Sequence, residues 1–153
     1  MGSRVCGGCT ACCTIFGIEE LGKKPWTECE HLTKAPFTRG CSIYRKRPRS
    51  CREFNCLWLG GAGTVKARPD RLGVMFAPTN GVTEFTGEWE FQAYEVFPGA
   101  FGKPDVVLLA KLIAGRDKLI IGHRHGGGVL TFIGPPEKIK AAQEWTRKQN
   151  EGA

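Results

Sequence analysis

Eight cysteines, Cys6, Cys9, Cys12, Cys13, Cys29, Cys41, Cys51 and Cys56, fall in the first 56 residues of a 153-residue chain, and residues 57–153 contain none. A thiolate is a nucleophile and a soft metal ligand. Structural cysteines would scatter with the core, and disulfides need an oxidising compartment. The chemistry left by this clustering is metal ligation.

The spacing supports it. Cys6-x2-Cys9-x2-Cys12-Cys13 opens the pattern, and Cys29, Cys41, Cys51 and Cys56 follow at wider intervals. A Cys-x2-Cys step brings two sulfurs to one side of a tight turn. Gly7 and Gly8 supply the backbone freedom such a turn uses. Neighbouring backbone N–H groups can donate to the sulfurs and spread their charge. The vicinal pair Cys12-Cys13 is less usual. Adjacent side chains tend to point apart, so the two are expected to serve different ions, or one is spare. A vicinal disulfide is the competing reading. His31, two residues after Cys29, could ligate zinc, but with eight thiols at hand it reads as a surface or supporting residue.

Charge fits ligation. Residues 1–56 hold ten Lys+Arg and five Glu, against twelve and ten in the remainder, so most of the +7 formal charge sits with the cysteines. Eight bound thiolates and two divalent ions would bring the segment to about +1. The cluster Arg45, Lys46, Arg47, Arg49 and Arg52 then screens an anionic site. A nucleic-acid patch is the rival reading, and it is disfavoured because aromatic interleaving and a recognisable binding motif are missing.

The two motifs, Cys6-x2-Cys9-x2-Cys12-Cys13 and Gly40-Cys41-Ser42-Ile43-Tyr44-x2-Arg47-Pro48-x2-Cys51-Arg52-x-Phe54, with Cys29 and Leu32 between them, resemble the CxxCxxCC family. This is the YkgJ-like group, described as zinc- or iron-chelating. The resemblance covers residues 6–56. It implies a metal-chelating module. Some relatives are linked to methylation of flagellin lysines, and others carry an iron–sulfur oxidoreductase label. Thr10 stands where many members place Gly. Cys56 lies beyond the most regular part of the pattern.

Zinc sites are usually tetrahedral and often built from two Cys-x2–4-Cys pairs. The run Cys6-x2-Cys9-x2-Cys12 also resembles the opening of a bacterial ferredoxin motif, in which cysteines wrap a cubane cluster. Zinc is the favoured cofactor, with ligands enough for two ions, and an iron–sulfur cluster is the alternative.

These residues need elements to position them. Pro48 is placed to start a short helix, with Arg47 extended before it and Cys51 and Phe54 sharing a face. Ile43 and Tyr44 read as a short strand. Arg47 and Arg52 are either solvated or donate to thiolates or carbonyls near the site. Beyond Gly60-Gly61-Ala62-Gly63, the natural joint, a body follows. Leu72, Val74 and Phe76 alternate along a strand. Trp89, Phe91 and Ala93 alternate with Glu88, Glu90 and Gln92, and a change of phase at Tyr94 and Val96 predicts a bulge. Residues 104–115 and 136–150 read as helices, the second with Ile139, Ala142 and Trp145 inward. Residues 118–122 and 129–133 read as a hairpin around His125-Gly126-Gly127-Gly128. The expected fold is α+β: a small cysteine-rich, metal-bound N-terminal module (residues 1–59) packed on a compact body (residues 64–153) with a short antiparallel sheet and two helices.

No apolar run is long enough to cross a bilayer. The start, Met1-Gly2-Ser3-Arg4-Val5, lacks the apolar stretch of a signal peptide and a myristoylation pattern, so a reducing cytoplasm is the expected location. Hydrophobic residues at 41% and charged residues at 24% describe an ordinary soluble protein. There is no phosphate-cradling loop, dinucleotide fingerprint or Ser/His/Asp order. His123 and His125 would share a strand face, as a polar surface or as a second metal or acid–base pair. Two function classes follow. One is a binding protein held together by metal, with a structural, metal-handling or protein-interaction role. The other is a metalloenzyme, redox or group-transferring, whose site is open to substrate.

Overall fold

A computed structural model describes residues 4–33 and 40–153. Met1–Ser3, on which the reading of the chain start partly rests, and residues 34–39 lie outside them.

Five α-helices and four strands form among the described residues. The cysteine segment supplies α1 (Ala11–Ile15) and α2 (Arg49–Glu53). Helix α3 (Pro69–Leu72) has proline in its first turn and ends at Gly73, whose φ of 89° is left-handed. The chain turns there into β1 (Val74–Val82), and β2 is Trp89–Glu95. Helix α4 (Pro104–Ala114) follows, then β3 (Ile120–His123), β4 (Val129–Ile133) and α5 (Pro136–Glu151). The two longer helices and the β3–β4 hairpin lie where periodicity places them.

The sheet runs β1-β2-β3-β4. Pairs β1–β2 and β3–β4 are antiparallel, but β2–β3 is parallel, with Phe91 opposite Ile120 and Tyr94 opposite His123. The expected antiparallel sheet is therefore corrected to a mixed one. Helix α4 is the crossover that carries the chain back to the starting end, as parallel neighbours require. The two helices expected in the body are α4 and α5, and α2 is the short helix expected after Pro48; α1 and α3 add to them, and at four or five residues each they are too short to show a period.

The period of two along β1 divides the core. Val74 and Phe76 pack with Ala93, Ile120 and the α4 stripe Val106, Ala110 and Ala114. Met75 points the other way, into a cluster with Ala11 and Ile15 of α1, Cys56 and Trp58. Helix α5 brings Ala142 and Ile139 against Leu119 and Ile121. Each fully buried aliphatic side chain contributes about 1.5–3 kcal/mol of transfer free energy. Leu72, expected on the strand, closes α3 instead, since Gly73 breaks the alternation.

The change of pairing is also displaced. It lies in β1 between Pro78 and Val82, and not at Tyr94–Val96. Pro78 has no N–H to give the ladder, and edge strand β1 tolerates that where its register shifts. Both faces of β2 are covered; the expected alternation holds for Phe91 and Ala93, which pack in the core, but fails at the start of the strand. Trp89 is 49% exposed while Glu90 is 0% exposed. The Glu90 carboxylate accepts from Leu119 N–H at 2.7 Å and pairs with Lys138 Nζ of α5 at 2.6 Å.

Arg4 ties the glycine joint down. Its guanidinium donates to the carbonyls of Trp58, Ala62 and Gly63 at 2.7–2.9 Å. Leu57 N–H bonds Phe76 O of β1 at 2.8 Å, so the cysteine segment is hydrogen-bonded directly to the sheet.

Candidate functional site

Cys6 and Cys9 are joined by the tight turn that their spacing implies. Cys9 N–H donates to Cys6 O at 2.9 Å, with Gly7 at φ 53°. Thr10 is the N-cap of α1 at φ −123°, a conformation open to any residue, so threonine in place of glycine leaves the turn intact. Helix α1 then carries Cys12 and Cys13. Their thiols hydrogen-bond each other, against the expectation that they diverge. Successive side chains on a helix are about 100° apart, not opposed as on a strand, and so can touch.

A short antiparallel pairing joins the stretch after Cys29 to Cys41. Leu32 bridges Cys41, Thr33 N–H bonds Gly40 O at 2.8 Å, and Ser42 N–H bonds His31 O at 2.8 Å. The residues after Cys41 form a 3₁₀ turn at Tyr44–Lys46, not a strand. Pro48 precedes α2, which holds Cys51, with Arg47 extended before it. Phe54, just past α2, packs its ring on Phe16 at 4.8 Å.

This geometry gathers the cysteines. Every one except Cys56 lines a single cavity of about 900 Å³. Cys56 is buried behind it, against Met75 and Trp58 in the core, and lines an adjoining cavity of about 240 Å³ together with Cys6, Cys9, Cys12 and Cys51. All eight are free thiols, so the vicinal disulfide does not form. They surround the space without closing on a point: among the described residues no three His, Cys, Asp or Glu side chains are placed as a group that could hold a metal ion.

The electrostatics couple them. Burial pushes the Cys6, Cys9 and Cys51 thiols up, and neighbouring thiolates add to it: Cys56 and Cys13 at Cys6, and Cys13, Cys29 and Cys41 at Cys51. Backbone N–H groups of Ala11 and Asp70 donate to the Cys9 sulfur and favour its thiolate. Cys12 is raised by the hydrogen bond it gives to Cys13 and by burial. Cys13, receiving that bond and facing Lys23 and Arg47, is lowered to about 7. One thiolate near neutral pH beside several thiols suits a site that metal would deprotonate further.

Lys23 carries no motif signal, yet its charge is felt by Cys13, and it lines the cavity. Its Nζ donates to Thr14 O at 3.1 Å and Phe16 O at 2.5 Å, on the carbonyls around the end of α1. Burial lowers its pKa, while the charges of Cys29, Cys13, Cys12 and Cys51 act to raise it. Arg47 donates to Tyr44 O at 2.9 Å and lies 3.7 Å over the Tyr44 ring, so of its two expected roles it takes the carbonyl one. Arg52 is exposed. Arg68, also unforeseen, makes a two-pronged ion pair with Asp70 at 2.6 and 2.7 Å, close enough to Cys9 and Cys6 to feel their charge. His31 is not among the residues lining the large cavity, and its Nε2 lies 3.6 Å from Glu30.

His123 and His125 are engaged separately. His123 stacks on Tyr94 with ring centres 4.6 Å apart, and its Nε2 meets Gln92 Oε1 at 3.0 Å. His125 sets its ring edge-on to Trp26 and hydrogen-bonds Glu95. Trp26 holds a left-handed backbone at φ 60°, kept there by these ring contacts and its N–H bond to Ile15 O. Burial pushes the His123 imidazole below its ordinary value of 6.5. The unfolded chain then binds a proton at a higher pH than the folded one, so the stability His123 contributes is present above pH 6.5 and is lost as pH falls through it. Urea unfolding from about pH 7.5 to about pH 5.5 is expected to show a falling midpoint, shallower in His123→Gln. Parallel slopes in the two proteins would remove His123 as the source.

The chain matches no family model, no curated protein and no solved structure.

Proposed function

We propose that the protein binds zinc through its cysteine cluster, in a structural or metal-handling role that extends to a protein partner. The observation that carries this reading is the convergence of seven cysteines from four separate stretches of chain on one cavity, with the eighth directly behind it. The donor chemistry fits: thiolates are soft ligands that suit zinc and iron–sulfur clusters alike. Cys6, Cys9, Cys12, Cys13, Cys29, Cys41 and Cys51 would supply the ligands, with Lys23 and Arg47 offsetting their charge. Bound zinc would hold these stretches together as a cross-link. The likeness of the two cysteine motifs to the CxxCxxCC family points the same way, and its cytoplasmic, reducing setting would keep the thiols available.

The size of the cavity favours a second reading. About 900 Å³ is far more room than one four-coordinate ion fills. An iron–sulfur cluster, with redox or protein-modifying group-transfer activity, would use more of it. Metal analysis of anaerobically purified protein, paired with its visible spectrum, separates the two. Zinc with a colourless protein is expected. A brown protein bleached by dithionite would replace zinc with the cluster, and a metal-free protein that takes up neither would end both readings.

A further inference from the structure

The sheet side of the large cavity is built differently from the thiol side. Strand β2 contributes Gln92 and Tyr94 to the wall, and Phe16, Phe54 and Ile43 make most of the rest apolar. Phe16 meets Phe54 and Tyr94 edge-on, with ring centres 4.8 and 5.2 Å apart, so these rings hold one another in place. A cavity of hundreds of Å³, mostly apolar and with a few fixed polar groups, is the usual form of a small-molecule site.

The fixed polar group here is Gln92. Its Oε1 accepts from the Tyr94 hydroxyl and also meets His123 Nε2. An amide oxygen has two acceptor positions, and both are used. The amide is therefore locked with Nε2 on the other side. That nitrogen has no hydrogen-bond partner among the described residues; since no buried side-chain nitrogen or oxygen among them is left unpaired, Nε2 keeps solvent access, and Gln92 is one of the residues that line the cavity. The donor is held by two neighbours that themselves are stacked ring on ring. Burial favours the neutral form of His123, and its Nε2–H tautomer is the one that donates to Gln92 Oε1.

We propose that this cavity binds a small organic carboxylate or carboxamide with an aromatic-sized apolar body, its carbonyl oxygen accepting from Gln92 Nε2 across from the thiols. The body lies against Phe16, Phe54 and Tyr94. Lys23 and Arg47, which also line the cavity, favour an anion or a neutral group over a cation. The inference goes beyond metal binding and stands whether or not the thiols hold an ion.

Gln92→Glu tests it. A carboxylate still accepts from Tyr94 and His123, but an oxygen replaces the outward N–H donor. The probes are 2-naphthoate, which carries the acceptor, and 2-naphthylmethylamine, which has the same rings with a cation instead. Saturable binding of 2-naphthoate to the purified protein is expected, at least about tenfold tighter than the amine, with the preference lost in Gln92→Glu. Equal affinity for both probes, no saturation at millimolar 2-naphthoate, or unchanged affinity in Gln92→Glu would each overturn the proposal. Metal content is measured on both proteins. Affinity lost at constant metal content supports a Gln92 site. Affinity lost in step with metal overturns it, because the ion would then be what holds the probe.

Discussion

Cys9→Ser is expected to strip the protein of metal, whereas Cys56→Ser keeps it and loses folding stability. Cys9 stands at the end of the Cys6–Cys9 turn, lines both cavities, and accepts N–H bonds from Ala11 and Asp70 that favour its charged form. An alcohol at that position is a far poorer ligand for a soft ion. Cys56 is 8% exposed and packs with Met75, Trp58 and Ile15. A hydroxyl there enters an apolar core, at a cost of about 1–3 kcal/mol where it finds no partner. Metal per chain, measured by elemental analysis, and the urea midpoint read the two effects separately. Equal metal retention in the two variants would sink the assignment of the ligands. The effect on Cys9→Ser is large because ligand binding and folding of such a segment are one equilibrium.

Lys138→Ala is expected to lower folding stability by about 3–5 kcal/mol without touching the cysteines. Lys138 Nζ is 2.6 Å from Glu90 Oε1 and 3.0 Å from Glu88 Oε2, and Glu90 is fully buried. Truncating the lysine leaves a carboxylate in the core with only the Leu119 N–H to offset its lost hydration. The double variant Glu90→Leu/Lys138→Met removes both charges and is expected to recover most of the loss, as isosteric apolar replacement of buried pairs often does. Chemical denaturation of the three proteins measures it. A loss under about 1 kcal/mol in Lys138→Ala would mean that water reaches Glu90 and the pair is an exposed one.

The long helices were legible because their signals are local. Pro104 near the start of α4, Gly115 at its end, and Val106, Ala110 and Ala114 on one stripe can be read without knowing what they pack against. The β3–β4 hairpin was legible for the same reason, since its two strands flank one glycine-rich turn. The parallel join of β2 to β3 was not. Strand direction follows from where α4 docks, and no residue in either strand encodes that alone. Glu90 misled for a related reason. Alternation marks it as a solvent position, and only the arrival of Lys138 from α5, 48 residues away, makes its burial tolerable. At the candidate site, the cysteines declared themselves by type and spacing. Lys23, Gln92 and Tyr94 did not: Lys23 belongs to no motif, and the partners that hold Gln92 and Tyr94 at the site, His123 and Phe16, are distant in the chain.

The thiol-rich front of this protein was thus determined by composition and spacing: eight cysteines in 56 residues, a glycine turn between the first two, and a basic surround. Those properties belong to short stretches of chain and survive without a fold. Tertiary structure alone decided that seven of the thiols share one cavity, that Cys56 sits in the core, and that β2 supplies the opposite wall. The physical reason is that a cavity is a property of surfaces brought together. Here α1 and Met75 of β1 meet in one apolar cluster, and it is this packing that sets the cysteines opposite the sheet.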